Sequence, residues 1–390
     1  MDPPTILPGM EQSVYQLSLE LYPPCMKIAD IIKALEMIAP PVYQEAYDNS
    51  GLLTGDSEWN CQAVLVTLDA TEHVIEEAIS RGCNLIIAHH PIIFGGLKKI
   101  NGKNYVEKAV IAAIRNNIAL YAFHTNLDNV TAGVNGRIAD RLGLTDRRVL
   151  APKPAALKKI YTFVPVEHAE KVRTTLFAAG AGRIGNYSEA SFNAEGLGTY
   201  RAGPGAHPFI GQVGERHTEK EIRIEVIFPA YLQQGILQAL LAAHPYEEVA
   251  YDLVELANVH PGIGAGLTGQ LPQPMSETDF LAVLKQQFQL QVIRHTKLTG
   301  RPVNRVAVCG GAGSFLIFNA LSSNADFYIT SDIKYHEFFD ANDRMVLADI
   351  GHFESEQFTI DLFYDILSEK FPTFAVLKSG IKTNPVHYYF

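Results

Sequence analysis

The feature that most strongly limits how this chain can fold is a short apolar run followed by two adjacent histidines. The run is Leu85-Ile86-Ile87-Ala88, and His89 and His90 follow it directly, before Pro91. A short, continuously apolar segment is typical of a buried strand in a parallel sheet, and the functional groups of such sheets gather beyond the carboxyl ends of their strands. Because neighbouring strand residues point to opposite faces, two imidazoles at a strand end can serve two different centres.

Short apolar runs of this kind alternate with helical patterns over most of the chain. Apolar residues recur at helical spacing in the segments that we predict as helices, and these lie at 27–38, 71–81, 106–117, 277–288 and 354–371. The predicted strands lie between them, at 64–68, 85–88, 118–123, 305–309, 326–330, 345–349 and 374–377. Repeated strand–helix winding predicts the α/β class, with layered sheets.

A different pattern occupies the middle of the chain. We predict strands at 161–164, 222–228 and 249–254, helices at 167–179 and 230–243, and Gly-rich loops from about residue 180 to Gly205. The order β-α-β-β-α-β fits a ferredoxin-like α+β unit. We therefore expect two similar α/β lobes that form one split domain, interrupted by an inserted domain. The expected ranges are 26–154 for the first lobe, 155–262 for the insert and 263–390 for the second lobe.

Composition excludes several classes of protein. The chain has 390 residues, and its formal net charge of -10 disfavours a nucleic-acid binder, which would normally carry a basic face. Its four cysteines form no CxxC pair, which argues against a zinc ribbon or a disulfide framework and favours a reducing cytoplasm. No apolar stretch approaches the roughly 18 residues that a membrane-spanning helix needs.

The first 25 residues differ from the rest. They contain several prolines and two glutamates, and they lack the basic start and cleavage site of a signal peptide. We interpret residues 1–25 as an irregular N-terminal extension, with Met26 as an alternative start.

Further residues with metal-ligand chemistry follow other predicted strands. His124 and Asp128 follow one strand, and His352 and Glu356 follow another at a spacing of four, which places both on one face of a helix. Nitrogen and oxygen donors of this kind suit Zn, Mn or Fe. Each residue also has a structural explanation: a hydrogen-bonded strand-end histidine, a turn-capping aspartate or a solvated helix face. The residues alone leave both interpretations open.

Several separated motifs resemble those of one known family. This is the dinuclear-metal, hexameric family named after NGG-interacting factor three, whose bacterial members are labelled GTP cyclohydrolase 1 type 2 homologues. The matching segments are 47–53 (YDNSGLL), 85–94 (LIIAHHPIIF), 124–128 (HTNLD), 330–336 (TSDIKYH) and 351–356 (GHFESE), and in the insert 185–188 (GNYS) and 244–248 (HPYEE). In their order along the chain these motifs cover it from Met26 to the C-terminus.

The resemblance implies a two-metal site. Its ligands would be five residues, with Glu356 as the carboxylate that bridges the ions: His89, His90, Asp128, His352 and Glu356. It also implies a two-lobed fold with the site between the lobes, a PII-like insert, and a homohexameric toroid built as a trimer of dimers.

Two divalent ions with open coordination positions imply a hydrolase that uses a metal-bridging water. The family label suggests a GTP cyclohydrolase, and a phosphohydrolase acting on another small molecule is equally compatible with two metals. His124 is a candidate catalytic proton carrier, although a turn-stabilising hydrogen bond explains it as well. The alternative function is a regulatory or storage hexamer that binds metal and metabolites without turnover.

Other polar segments are weaker candidates. Asp69 and the cluster of Asp332, Lys334, His336 and Glu337 could contact substrate, yet each is also explained as structural or solvated. The Gly-rich turn 310–314 follows a strand, so its amides could hold a phosphate.

Overall fold

The computed structural model describes residues 26–389, which divide into two compact units. Of these residues, unit 1 contains 26–146 and 269–389, and unit 2 is Arg147–Thr268. The segment that we predicted as an irregular extension, residues 1–25, lies outside the described residues. Three cysteines, Cys61, Cys83 and Cys309, are buried free thiols. No helix in the described part of the chain is long and apolar enough to cross a bilayer.

The elements before residue 145 alternate strands and helices. They are α1 (Ile28–Glu36), β1 (Gly51–Thr54), β2 (Val64–Asp69), α2 (Glu72–Ser80), β3 (Leu85–His90), α3 (Tyr105–Arg115), β4 (Ala119–Ala122), α4 (Thr125–Asp128) and α5 (Val134–Arg141). The middle elements are β5 (Thr145–Pro152), β6 (Leu157–Pro165), α6 (Ala169–Ala178), β7 (Phe192–Arg201), β8 (Arg216–Pro229), α7 (Gln233–Ala243), β9 (Tyr251–Glu255) and β10 (Gly264–Met275). The last are α8 (Glu277–Gln287), β11 (Arg294–His295), β12 (Val303–Ala312), α9 (Ile317–Ser322), β13 (Phe327–Ser331), β14 (Val346–Asp349), α10 (His352–Glu356), α11 (Thr359–Lys370) and β15 (Val376–Lys378).

Two sheets organise unit 1. The first has the strand order β1-β4-β3-β2-β15, in which only β1 runs antiparallel to its neighbour. The second has the order β11-β14-β13-β12-β10-β5, and its central strands β12, β13 and β14 are parallel. The apolar runs that predicted strands are the centres of these sheets: Leu65, Ile86 and Leu120 are at most 2% exposed. The mixed α/β class is therefore confirmed.

The C-terminal segment departs from the expectation in two ways. The helix predicted at 354–371 is two helices, α10 and α11, separated at Gln357-Phe358. The last strand, β15, pairs in parallel with β2 of the first sheet instead of joining the strands that precede it. Its apolar residues are compatible with either sheet, and only the long-range pairing decides between them.

Unit 2 contains a four-stranded antiparallel sheet and two helices. The strand order is β7-β8-β6-β9, and α6 and α7 pack on one face through residues such as Val172, Leu176 and Ile236. The Gly-rich loops predicted up to Gly205 are wrong over residues 192–201, because this segment is the edge strand β7. Glycines at 196 and 198 interrupt its alternation of side chains, which hides the strand in the sequence.

Candidate metal centre

Three loops or helix starts in unit 1 meet at one cleft. β3 ends at His90, β4 leads through His124 into α4, which ends at Asp128, and α10 begins at His352. Gly351 precedes α10 with φ of 93°, a conformation that glycine adopts without strain. The sheets thus bring together strand ends that are more than two hundred positions apart in the sequence.

Glu356 lies at the middle of this cleft and is 3% exposed. Its Oε2 atom is 3.0 Å from Nε2 of His90 and 3.1 Å from Nε2 of His352. Its Oε1 atom is 3.7 Å from Nε2 of His89, and the same nitrogen is 3.7 Å from Oδ1 of Asp128. The five residues that we predicted as ligands therefore surround one small volume.

The imidazoles are held by their outer nitrogens. Each Nδ1 atom has one oxygen partner: the carbonyl of Phe123 for His89 at 3.0 Å, Asp69 for His90 at 2.8 Å, Asp332 for His352 at 2.6 Å and Asp48 for His124 at 2.8 Å. A hydrogen bond donated by Nδ1 leaves Nε2 as a lone-pair donor, which is the arrangement typical of metal-binding histidines. The Nε2 atoms of His89, His90 and His352 accordingly face Glu356.

Two unsatisfied atoms show that a cation fits this site. Nε2 of His89 and Oδ1 of Asp128 are buried and have no hydrogen-bond partner. In addition, the Nε2 atoms of His90 and His352 face each other at 3.3 Å. Buried polar atoms without a partner are costly. A divalent ion between nitrogen and carboxylate donors removes that cost.

The charges of the cleft agree with that conclusion. Burial lowers the pKa of His90, but its hydrogen bonds with Asp69 and Glu356 outweigh this and raise it to about 10. His352 behaves alike: burial lowers its pKa, while Glu356 and Asp332 raise it to about 11. Burial raises the pKa of Asp128, and the nearby charge of Glu356 raises it further. The carboxylates thus attract positive charge into the cleft.

His124 lies beside the two adjacent histidines. Its ring centroid is 5.1 Å from that of His89 and 5.5 Å from that of His90. The candidate ligand atoms of these three histidines lie within 4.8 Å of one another, as do those of His90, His352 and Glu356. His124 can therefore reach the same ions or exchange protons with a molecule bound beside them.

Asp48 is a supporting residue to which the sequence assigned no role. Its carboxylate accepts hydrogen bonds from Nδ1 of His124, from the Ser50 hydroxyl at 2.7 Å, and from both the backbone amide and the hydroxyl of Thr125. Burial opposes its negative charge, yet these hydrogen bonds hold its pKa well below the usual range. Its place in the motif at 47–53 was the only signal, because His124 lies 76 positions away in the sequence and Thr125 lies 77 away.

The weaker candidates take structural positions. Asp69 and Asp332 orient imidazoles, and Thr383 also donates to Asp69. The Lys334 amide donates to Glu337 at 2.8 Å across a helical turn. His336 is exposed and contacts the ring of Tyr335.

The Gly-rich turn at 310–314 forms part of the cleft around Glu356, and its first two amides are not available to an anion. The amide of Gly310 donates to Asn135 at 3.0 Å, and that of Gly311 donates to the Ser355 hydroxyl at 2.9 Å. A Cβ atom on Gly311 would lie 2.3 Å from Oε1 of Glu356. The phosphate-binding expectation is therefore wrong for these two amides, because both are already used; the turn leaves room for the Glu356 carboxylate.

Comparisons with known proteins agree with the motifs. The sequence profile described as Duf34/NIF3 (NGG1p interacting factor 3) matches residues 26–385. The chain belongs to this family. A Bacillus subtilis relative named GTP cyclohydrolase 1 type 2 homolog is 39% identical over 83% of this chain and 87% of its own length. A Mycobacterium tuberculosis relative of the same name is 36% identical over 85% and 88%.

Solved structures of the family share the fold. A Bacillus cereus protein related to NIF3 has a TM-score of 0.82 and 37% identity, and the match covers 94% of this chain and 100% of that one. Staphylococcus aureus protein SA1388 has a TM-score of 0.74 and 28% identity, with 93% and 99% covered. The matches span both units, so the family likeness extends to the middle of the chain.

Proposed function

We propose that this family member is a metal-dependent hydrolase with two divalent ions, Zn, Mn or Fe, at the cleft around Glu356. The ligands would be His89, His90, Asp128 and His352, with Glu356 shared between the ions. The orphaned Nε2 of His89 and Oδ1 of Asp128 carry this proposal. Both carboxylate oxygens of Glu356 face imidazole nitrogens, which suits a shared ligand.

When bound, a pair of divalent ions would activate water and polarise an electrophilic group of the substrate. The protein's own contribution is to fix the donors in place. With metal bound, the carboxylates of Asp69, Asp332 and Asp48 would hold three imidazoles in the tautomer that leaves Nε2 free for an ion. This arrangement avoids reorganisation of the site during the reaction.

His124 would move protons in this reaction. Its Nδ1 is tied to Asp48, and its ring lies beside His89 and beside Phe94, with the Phe94 centroid at 6.0 Å. A positioned imidazole is an effective general acid or base near neutral pH. The substrate would be a small molecule, a nucleotide among the candidates, because the named relatives are GTP cyclohydrolase 1 type 2 homologues.

We also propose the wider organisation that the family resemblance implied. Two α/β lobes, 26–154 and 263–390, would flank a ferredoxin-like, PII-like insert at 155–262, and the strand order β7-β8-β6-β9 supports that topology. A cytoplasmic homohexameric toroid, a trimer of dimers, would cover exposed aromatic residues of unit 1. These are Phe315, Phe318, Tyr335 and Phe339, which are 61–73% exposed.

The test is a turnover assay with the full chain. Protein loaded in turn with Zn²⁺, Mn²⁺ or Fe²⁺ is assayed against GTP, other nucleotides and a panel of phosphoesters. We expect hydrolysis of one class, a loss on the order of a hundredfold in kcat for His124→Asn, and retained metal in that variant. Asp140→Asn, an exposed change on α5, serves as the control.

Two results would contradict the enzyme proposal. One is metal-replete protein that turns over nothing in the panel but binds metabolites, which favours the regulatory or storage alternative. The other is turnover that persists unchanged after chelation.

A further inference from the structure

One glutamate of unit 2 is buried on a sheet face that has no helix against it. On β8, Ile224 and Val226 pack against the helices, while Arg223 and Glu225 point to the opposite face. Such a face of an antiparallel sheet is ordinarily solvated. Glu221 lies on it and is only 8% exposed.

The connection between β7 and β8 covers this glutamate. The hydroxyl of Tyr200 donates to the carbonyl of Ile210 at 2.5 Å, and the amide of His207 donates to Glu247 at 2.8 Å. These contacts hold the connection over the sheet, so that the ring of Phe209 lies 6.5 Å from that of Tyr246. A pocket of about 760 Å³ remains between the connection and the strands.

Two glycines of β7 form part of the pocket floor. Gly196 is the direct cross-strand partner of Glu221. A Cβ atom on Gly196 would meet nothing within 4 Å, whereas one on Gly198 would lie 2.0 Å from Oε2 of Glu221. Because Gly198 has no side chain, there is room for the Glu221 carboxylate. Because Gly196 has none, the space next to that carboxylate stays open.

The carboxylate of Glu221 lacks a charge partner. Its Oε1 atom accepts a hydrogen bond from the Tyr246 hydroxyl at 2.8 Å, and no cation pairs with it within residues 26–389. Arg223 is engaged elsewhere, with Glu225 at 3.0 Å and over the ring of Tyr161 at 4.5 Å. An ionised carboxylate buried without a counter-charge is costly.

Aromatic rings complete the pocket around that charge. Tyr200 and Tyr246 lie with ring centroids 6.1 Å apart, and Phe163 and Phe209 also line the pocket. Burial and the hydrogen bond to Glu221 raise the pKa of Tyr246, which keeps its hydroxyl protonated as a donor. The charged lining residues are four glutamates and two arginines, Glu195, Glu221, Glu247, Glu248, Arg201 and Arg223.

We propose that this pocket of unit 2 binds a small organic cation, an amidinium, guanidinium or ammonium group on an apolar body. The Oε2 atom of Glu221 accepts a hydrogen bond from the N–H group of the ligand or balances its charge. The rings of Tyr200, Phe209 and Tyr246 contact its apolar body and its diffuse positive charge. An anionic ligand would be repelled by the buried carboxylate of Glu221, with which neither Arg201 nor Arg223 of the lining forms an ion pair. The inference does not depend on the metal centre, which belongs to unit 1.

Pairs of probes of similar shape, one cationic and one neutral, test this inference. Isothermal titration calorimetry on the full chain compares benzamidine with neutral benzamide, and choline with 3,3-dimethylbutan-1-ol. We expect at least one cation to bind, and its neutral counterpart to bind on the order of tenfold more weakly or worse.

Two variants localise the binding. Glu221→Gln should lower the affinity for the cation ten- to hundredfold, on the scale of a lost charged hydrogen bond. Gly196→Leu should fill the pocket and abolish binding without a fall in Tm, because its side chain enters open space. Glu255→Gln, an exposed carboxyl on β9 outside the lining, is the matched control and should bind as the wild type does.

Three outcomes would overturn the proposal. They are failure of every cation to bind, equal affinity for the cationic and neutral members of both pairs, or unchanged affinity in Glu221→Gln. If Gly196→Leu fails to fold, the charge pairs and the glutamate variant still decide the result.

Discussion

The two units each contain a buried glutamate above a glycine, and the surroundings of these glutamates differ. Glu356 of unit 1 is met by nitrogens of three imidazoles at 3.0–3.7 Å. Glu221 of unit 2 is met by a single tyrosine hydroxyl and by aromatic rings. Glycine 311 makes room for the first carboxylate and glycine 198 for the second.

Burial alone therefore does not define what a carboxylate binds. Imidazole nitrogens with free lone pairs favour a compact divalent ion, because they can bind it together with the carboxylate. Aromatic faces have no lone pairs to donate in that way, and they favour a diffuse organic cation. The neighbours therefore select the ligand.

Exchanging the two glutamates for glutamine should give the largest effect. Glu356→Gln removes a ligand charge, so we expect metal affinity to fall by a hundredfold or more, beyond the range for a supporting residue. Glu221→Gln should leave metal content unchanged. Plasma mass spectrometry of dialysed protein measures the metal content of both variants, and equal metal loss in the two would contradict the distinct roles of Glu356 and Glu221.

A glycine pair in unit 1 should give an intermediate effect. Gly311→Ala places a Cβ atom 2.3 Å from Oε1 of Glu356 at φ of 64°, while Gly300→Ala at φ of 74° meets nothing within 4 Å. Both variants should lose about 1 kcal/mol from the backbone conformation alone. Only Gly311→Ala should also lower metal affinity, because the carboxylate must move. Denaturant unfolding and metal titration separate the two effects, and identical metal affinities would argue against the role of Gly311.

The pH dependence should be the smallest effect. Without metal, the pKa values of His90 and His352 are raised to about 10 and 11. The protonated imidazoles therefore stabilise the folded state, and this contribution is complete below about pH 6.5. That contribution is lost as the pH rises toward those values, whereas metal binding strengthens as the ligands lose protons. The difference in Tm between metal-loaded and chelated protein should widen from pH 7 to pH 9. A difference that narrows would contradict the assigned protonation states.

Local pattern was enough to predict much of the fold. The apolar runs 64–68, 85–88 and 118–123 are strands β2, β3 and β4 within one or two residues. The spacing of His352 and Glu356 also predicted that they share a helix face, and their side chains lie 3.1 Å apart. Such features depend on periods of two or 3.6 residues, which the sequence displays directly.

The residues at the strand ends, and those among them that have the chemistry of metal ligands, follow from the amino-acid sequence alone. Their partners depend on the tertiary structure. Asp48 contacts His124 across 76 positions, β15 pairs with the first sheet, and Glu221 is buried beneath the connection between β7 and β8. The physical reason is that local periodicity fixes the face of each side chain, whereas its neighbours are set by the pairing of distant segments.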